Sequence, residues 1–211
     1  MKKIIFSFFV ISLLAGLYWC SRVSNQTCDI DNWKVCPIIK TWNVVDNSDI
    51  TVVSNQIMNA LKNKNIELLS QFVSQQWVRL SPYNYVDLKQ DLILKKSDLE
   101  NIWESNQKYV WWVQDGSGLP IDLTFKEYFA KYIYDVDFAN APQKLVNKKV
   151  TRWNMINNVR DVYVGKYFIE YYFSWFNPEY EWMDWRSLIL VFDKVDNEWK
   201  LLWIVHAQRT T

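Results

Sequence analysis

The sequence predicts an α+β domain in which N-terminal helices pack on one face of a curved antiparallel sheet. Three observations carry this reading. Apolar residues recur at helical spacing from about Asp49, a capping box opens at Thr124, and the last third of the chain alternates with period two.

The elements follow in order. Val53, Ile57, Ala60 and Leu61 mark a first helix. Asn65 is placed to cap a second, shorter one carrying Ile66, Leu69, Phe72 and Val73, because its side chain can accept from an unpaired backbone N–H. Val78–Leu80 then reads as a strand. In Thr124-Phe125-Lys126-Glu127 the hydroxyl and the carboxylate can each satisfy an orphan N–H, and Tyr128, Phe129, Tyr132 and Ile133 give the helix that follows an apolar stripe. Further on, Tyr167, Ile169, Tyr171 and Phe173 alternate with Phe168, Glu170 and Tyr172. Leu188, Leu190 and Phe192 alternate with Ile189 and Val191, and Leu202, Ile204 and His206 with Trp203 and Val205. Asp196-Asn197 tolerates positive φ and suits a tight hairpin between the last two strands. This order of elements is similar to that of NTF2-like cones, with a cystatin-like helix on a sheet as the alternative.

Charge and length set the broad class. The 211 residues carry a formal net charge of +1, and half are hydrophobic. With no clustered basic face, nucleic acid is not an expected partner. Lys2 and Lys3 precede an apolar stretch, Ile4 to Leu17, that is short for a membrane span, and Tyr18, Trp19 and Cys20 follow it. Residues 1–20 therefore read as a lipoprotein signal peptide with Cys20 as the lipidation site; an ordinary signal peptide or uncleaved anchor is the alternative. Residues 21–50 are rich in Ser, Asn, Asp and Thr and read as a polar tether. After export, Cys28 and Cys36 can close a small disulfide loop within it. Residues 51–211 form the single α+β domain. The expected location is the outer side of the cytoplasmic membrane, or the cell surface.

The composition holds a puzzle. There are thirteen tryptophans and four glycines, where a chain of this length ordinarily has about fifteen glycines. Glycine and tryptophan together total seventeen, close to the normal sum. Tryptophan also stands where glycine is expected: before Cys20, in Arg152-Trp153-Asn154, in Ser174-Trp175-Phe176-Asn177-Pro178 and in Glu181-Trp182-Met183-Asp184. Some uncultured bacterial lineages read UGA as glycine, and reading those codons as tryptophan would move residues from one count to the other. The alternative is a protein truly rich in tryptophan, such as a carbohydrate-binding module with exposed indoles.

With glycine restored, residues 77–83 read GVRxSPY, 111–118 WGxxDGSG, 175–188 GFxPxYxGMDWRSL and 202–206 LGIVH. Together these resemble a family of uncharacterised bacterial envelope lipoproteins over roughly residues 52–211. The resemblance implies that Trp103, Trp111, Trp185 and Trp199 are true tryptophans, and that Trp19, Trp77, Trp112, Trp153, Trp175, Trp182 and Trp203 stand for glycine. Trp33 and Trp42 lie outside the matched region. At the tail, Ala207 and Arg209 depart from the acidic residue and tryptophan that the family pattern implies.

A cone encloses a pocket, and the candidate ligand-binding residues are Arg79, Tyr83, Asp184, Trp185, Arg186 and His206. Asp115-Gly116-Ser117-Gly118 lacks the alternating carboxylates of a calcium loop and the ending of a P-loop, so it reads as a turn. Asp184 beside Arg186 reads as a clamp fixing a loop against the sheet, with a general base as the alternative. His206 is the chain's one histidine, and the catalytic alternative pairs it with Asp184 or Asp115 as an acid–base dyad. No zinc set, GxSxG or paired-carboxylate signature appears, so neither a metal nor a cofactor is expected. The functional expectation is a membrane-anchored extracytoplasmic domain that binds a small ligand, peptide or glycan, or serves envelope assembly, without catalysis. A small hydrolase-like enzyme using His206 is the alternative.

Overall fold

A computed structural model describes residues 49–74, 76–148, 156–181 and 183–209, all within one unit, Val45–Thr211. The expected signal peptide, Cys20, residues 21–48 of the expected tether and the Cys28–Cys36 pair lie outside the described residues, as do Trp19, Trp33, Trp42, Trp153 and Trp182. Among the described residues no helix is long and apolar enough to cross a membrane.

The architecture is α+β, with a mostly antiparallel sheet. Helix α1 (Ile50–Lys62) starts at Asp49, whose carboxylate accepts from Thr51 N at 2.7 Å. Helix α2 (Ile66–Phe72) starts at Asn65, whose side chain accepts from Leu68 N at 2.8 Å. Strands β1 (Trp77–Ser81) and β2 (Leu92–Lys95) pair antiparallel, and the one-turn helix α3 (Lys96–Leu99) follows. A separate hairpin of β3 (Lys108–Val113) and β4 (Pro120–Thr124) leads into α4 (Phe125–Tyr132). There Glu127 N donates to the Thr124 hydroxyl at 3.3 Å, and Thr124 N donates to the Glu127 carboxylate at 2.8 Å, closing the capping box. The remaining elements are β5 (Gln143–Val146), α5 (Val159–Val162), β6 (Tyr167–Phe173), β7 (Arg186–Val195) and β8 (Glu198–Gln208).

The main sheet runs β2-β1-β8-β7-β6-β5. All neighbours are antiparallel except β1 and β8, which pair in parallel. That pair joins the two ends of the domain, so no hairpin constrains its direction. Between β7 and β8, Asp196 and Asn197 both take positive φ, 50° and 65°, as a two-residue turn of this hand requires.

One face of the sheet carries the larger core. Leu80, Ile169, Leu188, Leu190, Phe192, Leu201 and Ile204 meet Val53, Ile57 and Leu61 of α1 and Phe125, Tyr128 and Phe129 of α4. The other face is covered too, which the expected single layer of helices did not include. There Phe168, Ile189, Val191, Trp203 and Val205 pack with Val86 and Val159, the latter from α5. A bulge in β8 opposite Val191 and Phe192 skips Leu202, so Leu201 points to the first face and Trp203 to the second. The expected unbroken alternation Leu202, Ile204, His206 is thereby corrected: an inserted residue reverses the parity of a strand.

The tryptophans divide. Trp111, Trp185 and Trp199 are buried, and Trp111 stacks on Tyr128 at 3.8 Å while donating to the Leu123 carbonyl. Trp77 and Trp112 are half-buried and Trp175 is exposed. None of these three, nor Trp203, has positive φ; the non-glycine residues that do are Lys64, Asn147, Glu181, Asp196 and Asn197. The left-handed freedom of glycine is therefore not used at these four positions. Trp203 is fully buried and hydrogen-bonded, and it lies mid-strand beside the β8 bulge, a setting that glycine favours.

Candidate functional site

Arg186 opens β7, Gln208 ends β8 opposite it, and Asp135 follows the C-terminal end of α4, so two strand ends and a helix end converge. Asp135 is the hub. Its Oδ2 accepts from Arg186 Nε at 2.9 Å, and its Oδ1 lies 3.1 Å from His206 Nε2. The other ring nitrogen of His206 lies 3.3 Å from the Pro82 carbonyl. Both ring nitrogens of His206 thus face oxygen acceptors. Arg186 Nη1 donates to the Asp184 and Trp185 carbonyls at 3.2 and 3.0 Å, which fixes the guanidinium. Burial would raise the pKa of Asp135, but the hydrogen bond and charge of His206, with those of Arg186, outweigh it and hold the carboxyl below its ordinary value.

Asp135, Asp184 and Arg186 line an open cleft of about 580 Å³. Gln208 lines it too, with Ala130, Lys131 and Val136 from α4 and its end, and Phe176 and Tyr180 from the loop that precedes β7. That loop is tied by Asp184, whose Oδ2 accepts from Phe176 N at 3.1 Å and Asn177 N at 2.7 Å. Burial opposes ionisation of Asp184, yet the two amides hold its pKa below the ordinary value. Asn177 in turn caps the short 3₁₀ turn Pro178–Tyr180, accepting from Glu179 N at 3.0 Å. The two aromatic rings are thus presented by a hydrogen-bonded loop. Phe176 stacks on Phe173 at 5.1 Å and stays 46% exposed, and Tyr180 is 54% exposed.

Of the sequence candidates, the structure gathers Asp184, Trp185, Arg186 and His206 around this cleft, though Trp185 and His206 are buried. The others lie elsewhere. Tyr83 packs edge-on against Tyr132 at 6.1 Å, and its hydroxyl, pushed up to about 12 by burial, accepts from Asp115 N at 3.2 Å. Asp115 sits in the β3–β4 turn, where Gly116 and Gly118 have φ of 81° and 66° and Gln114 N donates to the Leu119 carbonyl. Arg79 is buried on the second face of the sheet. The alternative dyad of His206 with Asp184 or Asp115 is corrected: the carboxylate beside the imidazole is Asp135, because Asp184 is turned toward its own loop.

Asp135 escaped the sequence reading because Tyr134-Asp135-Val136-Asp137 matches no motif, and its burial comes from strand ends distant in the chain. Asp137 of the same stretch does something different, pairing at the surface with Lys62 at 2.9 Å.

Chemically, the hub holds charge in place. His206 has no exposed surface and both of its nitrogens are engaged, so it cannot touch a molecule in the cleft. Among the described residues no group of three or more His, Cys, Asp or Glu side chains is arranged to hold a metal ion.

No family model matches the chain, and no curated protein matches it. Among solved structures, it is similar to a DUF4783 family protein from Bacteroides ovatus, at 12% identity and a TM-score of 0.31, over 74% of this chain and 94% of that one. A likeness that slight carries no argument about function.

Proposed function

We propose that this is an extracytoplasmic lipoprotein, lipidated at Cys20 and tethered by residues 21–50, whose folded domain is an NTF2-like cone that binds an oligosaccharide without chemical turnover. The cleft carries this reading: two exposed aromatic side chains, Phe176 and Tyr180, line it together with a hydrogen-bonded guanidinium–carboxylate pair, Arg186 and Asp135. Sugars present C–H faces to aromatic rings and hydroxyl pairs to fixed planar donors and acceptors, and this arrangement offers both. The hydrolase alternative has less support, since His206 is sealed behind Asp135. A peptide is the competing ligand, supported by Lys131 at the rim.

Two measurements test the proposal. Mass spectrometry of the native N-terminus should find a diacylated or triacylated Cys20; an unmodified chain retaining Met1 contradicts the anchoring. Calorimetry with soluble cell-wall oligosaccharides and with their stem peptides should show saturable binding of the sugars. Binding of the peptides alone would reassign the cleft.

A further inference from the structure

On the second face of the sheet lies a polar cluster that the cleft does not use. Arg79 and Trp203 are register partners on β1 and β8, and both are buried. The guanidinium of Arg79 lies 4.8 Å from the centroid of the Trp203 ring, and Tyr163 meets the same ring edge-on at 4.4 Å. Trp203 Nε1 donates to the Ser81 hydroxyl at 2.7 Å. Nη1 of Arg79 donates to the Leu88 carbonyl at 3.1 Å. Three buried polar atoms in this cluster have no hydrogen-bond partner, Nε of Arg79, Oδ1 of Asp91 and the hydroxyl of Tyr163, and Arg79 and Asp91 are only 5% exposed. Buried polar groups are ordinarily paired, so unpaired ones at one place call for an explanation.

Trp203 is one of the positions where the sequence points to glycine, and it adjoins the β8 bulge, a setting glycine favours. The indole therefore occupies a space already built with a hydroxyl acceptor, a cation over its face and an aromatic edge. We propose that this space is a binding site for a planar aromatic ring bearing an N–H donor, filled here by the chain's own indole and open in the protein that carries glycine at 203. The proposal rests on the glycine reading of that position and not on the cleft.

The test uses the full chain with Trp203→Gly, titrated with indole and with indene, which has the same shape and no N–H. Indole should bind about fivefold to tenfold more tightly than indene, the effect of one neutral hydrogen bond. Ser81→Ala in the same background should erase that preference. Equal binding of the two, or a preference that survives Ser81→Ala, marks a featureless apolar cavity and overturns the proposal, as does no binding at all. If Trp203→Gly does not fold alone, it and Trp203→Ala are refolded with indole: recovery selective for indole over indene supports the site, and no recovery overturns it. Peptide masses of the native protein are read separately. Tryptophan found at 203 overturns the glycine reading and the proposal together, whereas glycine found with no indole binding overturns the site alone.

Discussion

The carboxylate of Asp135 lies 3.1 Å from the imidazole of His206, 71 residues further along the chain, and its second oxygen takes the guanidinium N–H of Arg186. One buried anion thus ties the end of α4 to the ends of β7 and β8. Removing its charge leaves the half-buried Arg186 guanidinium short of an ionic partner. Asp135→Asn should cost about 2–3 kcal/mol at pH 7, the scale of a hydrogen bond to a charged group.

The pH dependence has a definite sign. The folded-state pKa of Asp135 is depressed, so its stabilisation is present above the unfolded value of about 3.9 and lost as pH falls through the folded value. Denaturant melts should show the gap between the parent and Asp135→Asn narrowing toward pH 3. A gap that stays constant would mean the carboxylate contributes no charge-dependent term.

Asp91 behaves oppositely. Burial pushes its carboxyl up to about 6, against the pull of Ser81 and Arg79. A raised carboxyl pKa means stability that is full below about pH 3.9 and lost as pH rises through about 6; the two-unit shift corresponds to about 3 kcal/mol at pH 8. Asp91→Asn should therefore be more stable than the parent at pH 8 and close to it at pH 4. A variant less stable at pH 8 would show that the ionised form is needed there.

The β7–β8 turn holds Asn197 at φ 65°, where glycine has no Cβ penalty. Asn197→Gly should raise stability by about 0.5–1 kcal/mol, or roughly 1–4 °C in a domain of this size. Asn197→Val should lower it by more than it gains. Equal melting temperatures for both would show the turn to be unstrained.

Tryptophans that read as true should behave unlike those that read as glycine. Trp111→Ala should cost about 3–5 kcal/mol, since the ring is fully buried and stacked. Trp175→Gly, on an exposed loop, should stay within about 1 kcal/mol. Comparable losses at both would remove the distinction.

What the sequence made legible was local. Asp49, Asn65 and Thr124 start helices through bonds that span two or three residues, and Asp196-Asn197 turns a hairpin through its own backbone preference. Signals of that range are written in adjacent letters. The β8 bulge was not, because a skipped Leu202 depends on how Val191 and Phe192 pair across the sheet. Nor was the hub: Arg186 and His206 were singled out as polar residues at strand ends, but Asp135 becomes their partner only when α4 docks. The parallel β1–β8 pair, which places Arg79 against Trp203, is non-local for the same reason.

The most direct test of the central claim follows the Arg186 Nε–H resonance and the ring resonances of Phe176 and Tyr180 by NMR as cell-wall oligosaccharide is added to the mature protein. All three should shift together and saturate, and Phe176→Ala with Tyr180→Ala should abolish the response while leaving the fold intact. Saturable shifts confined to residues outside the cleft, or none at all, would contradict it.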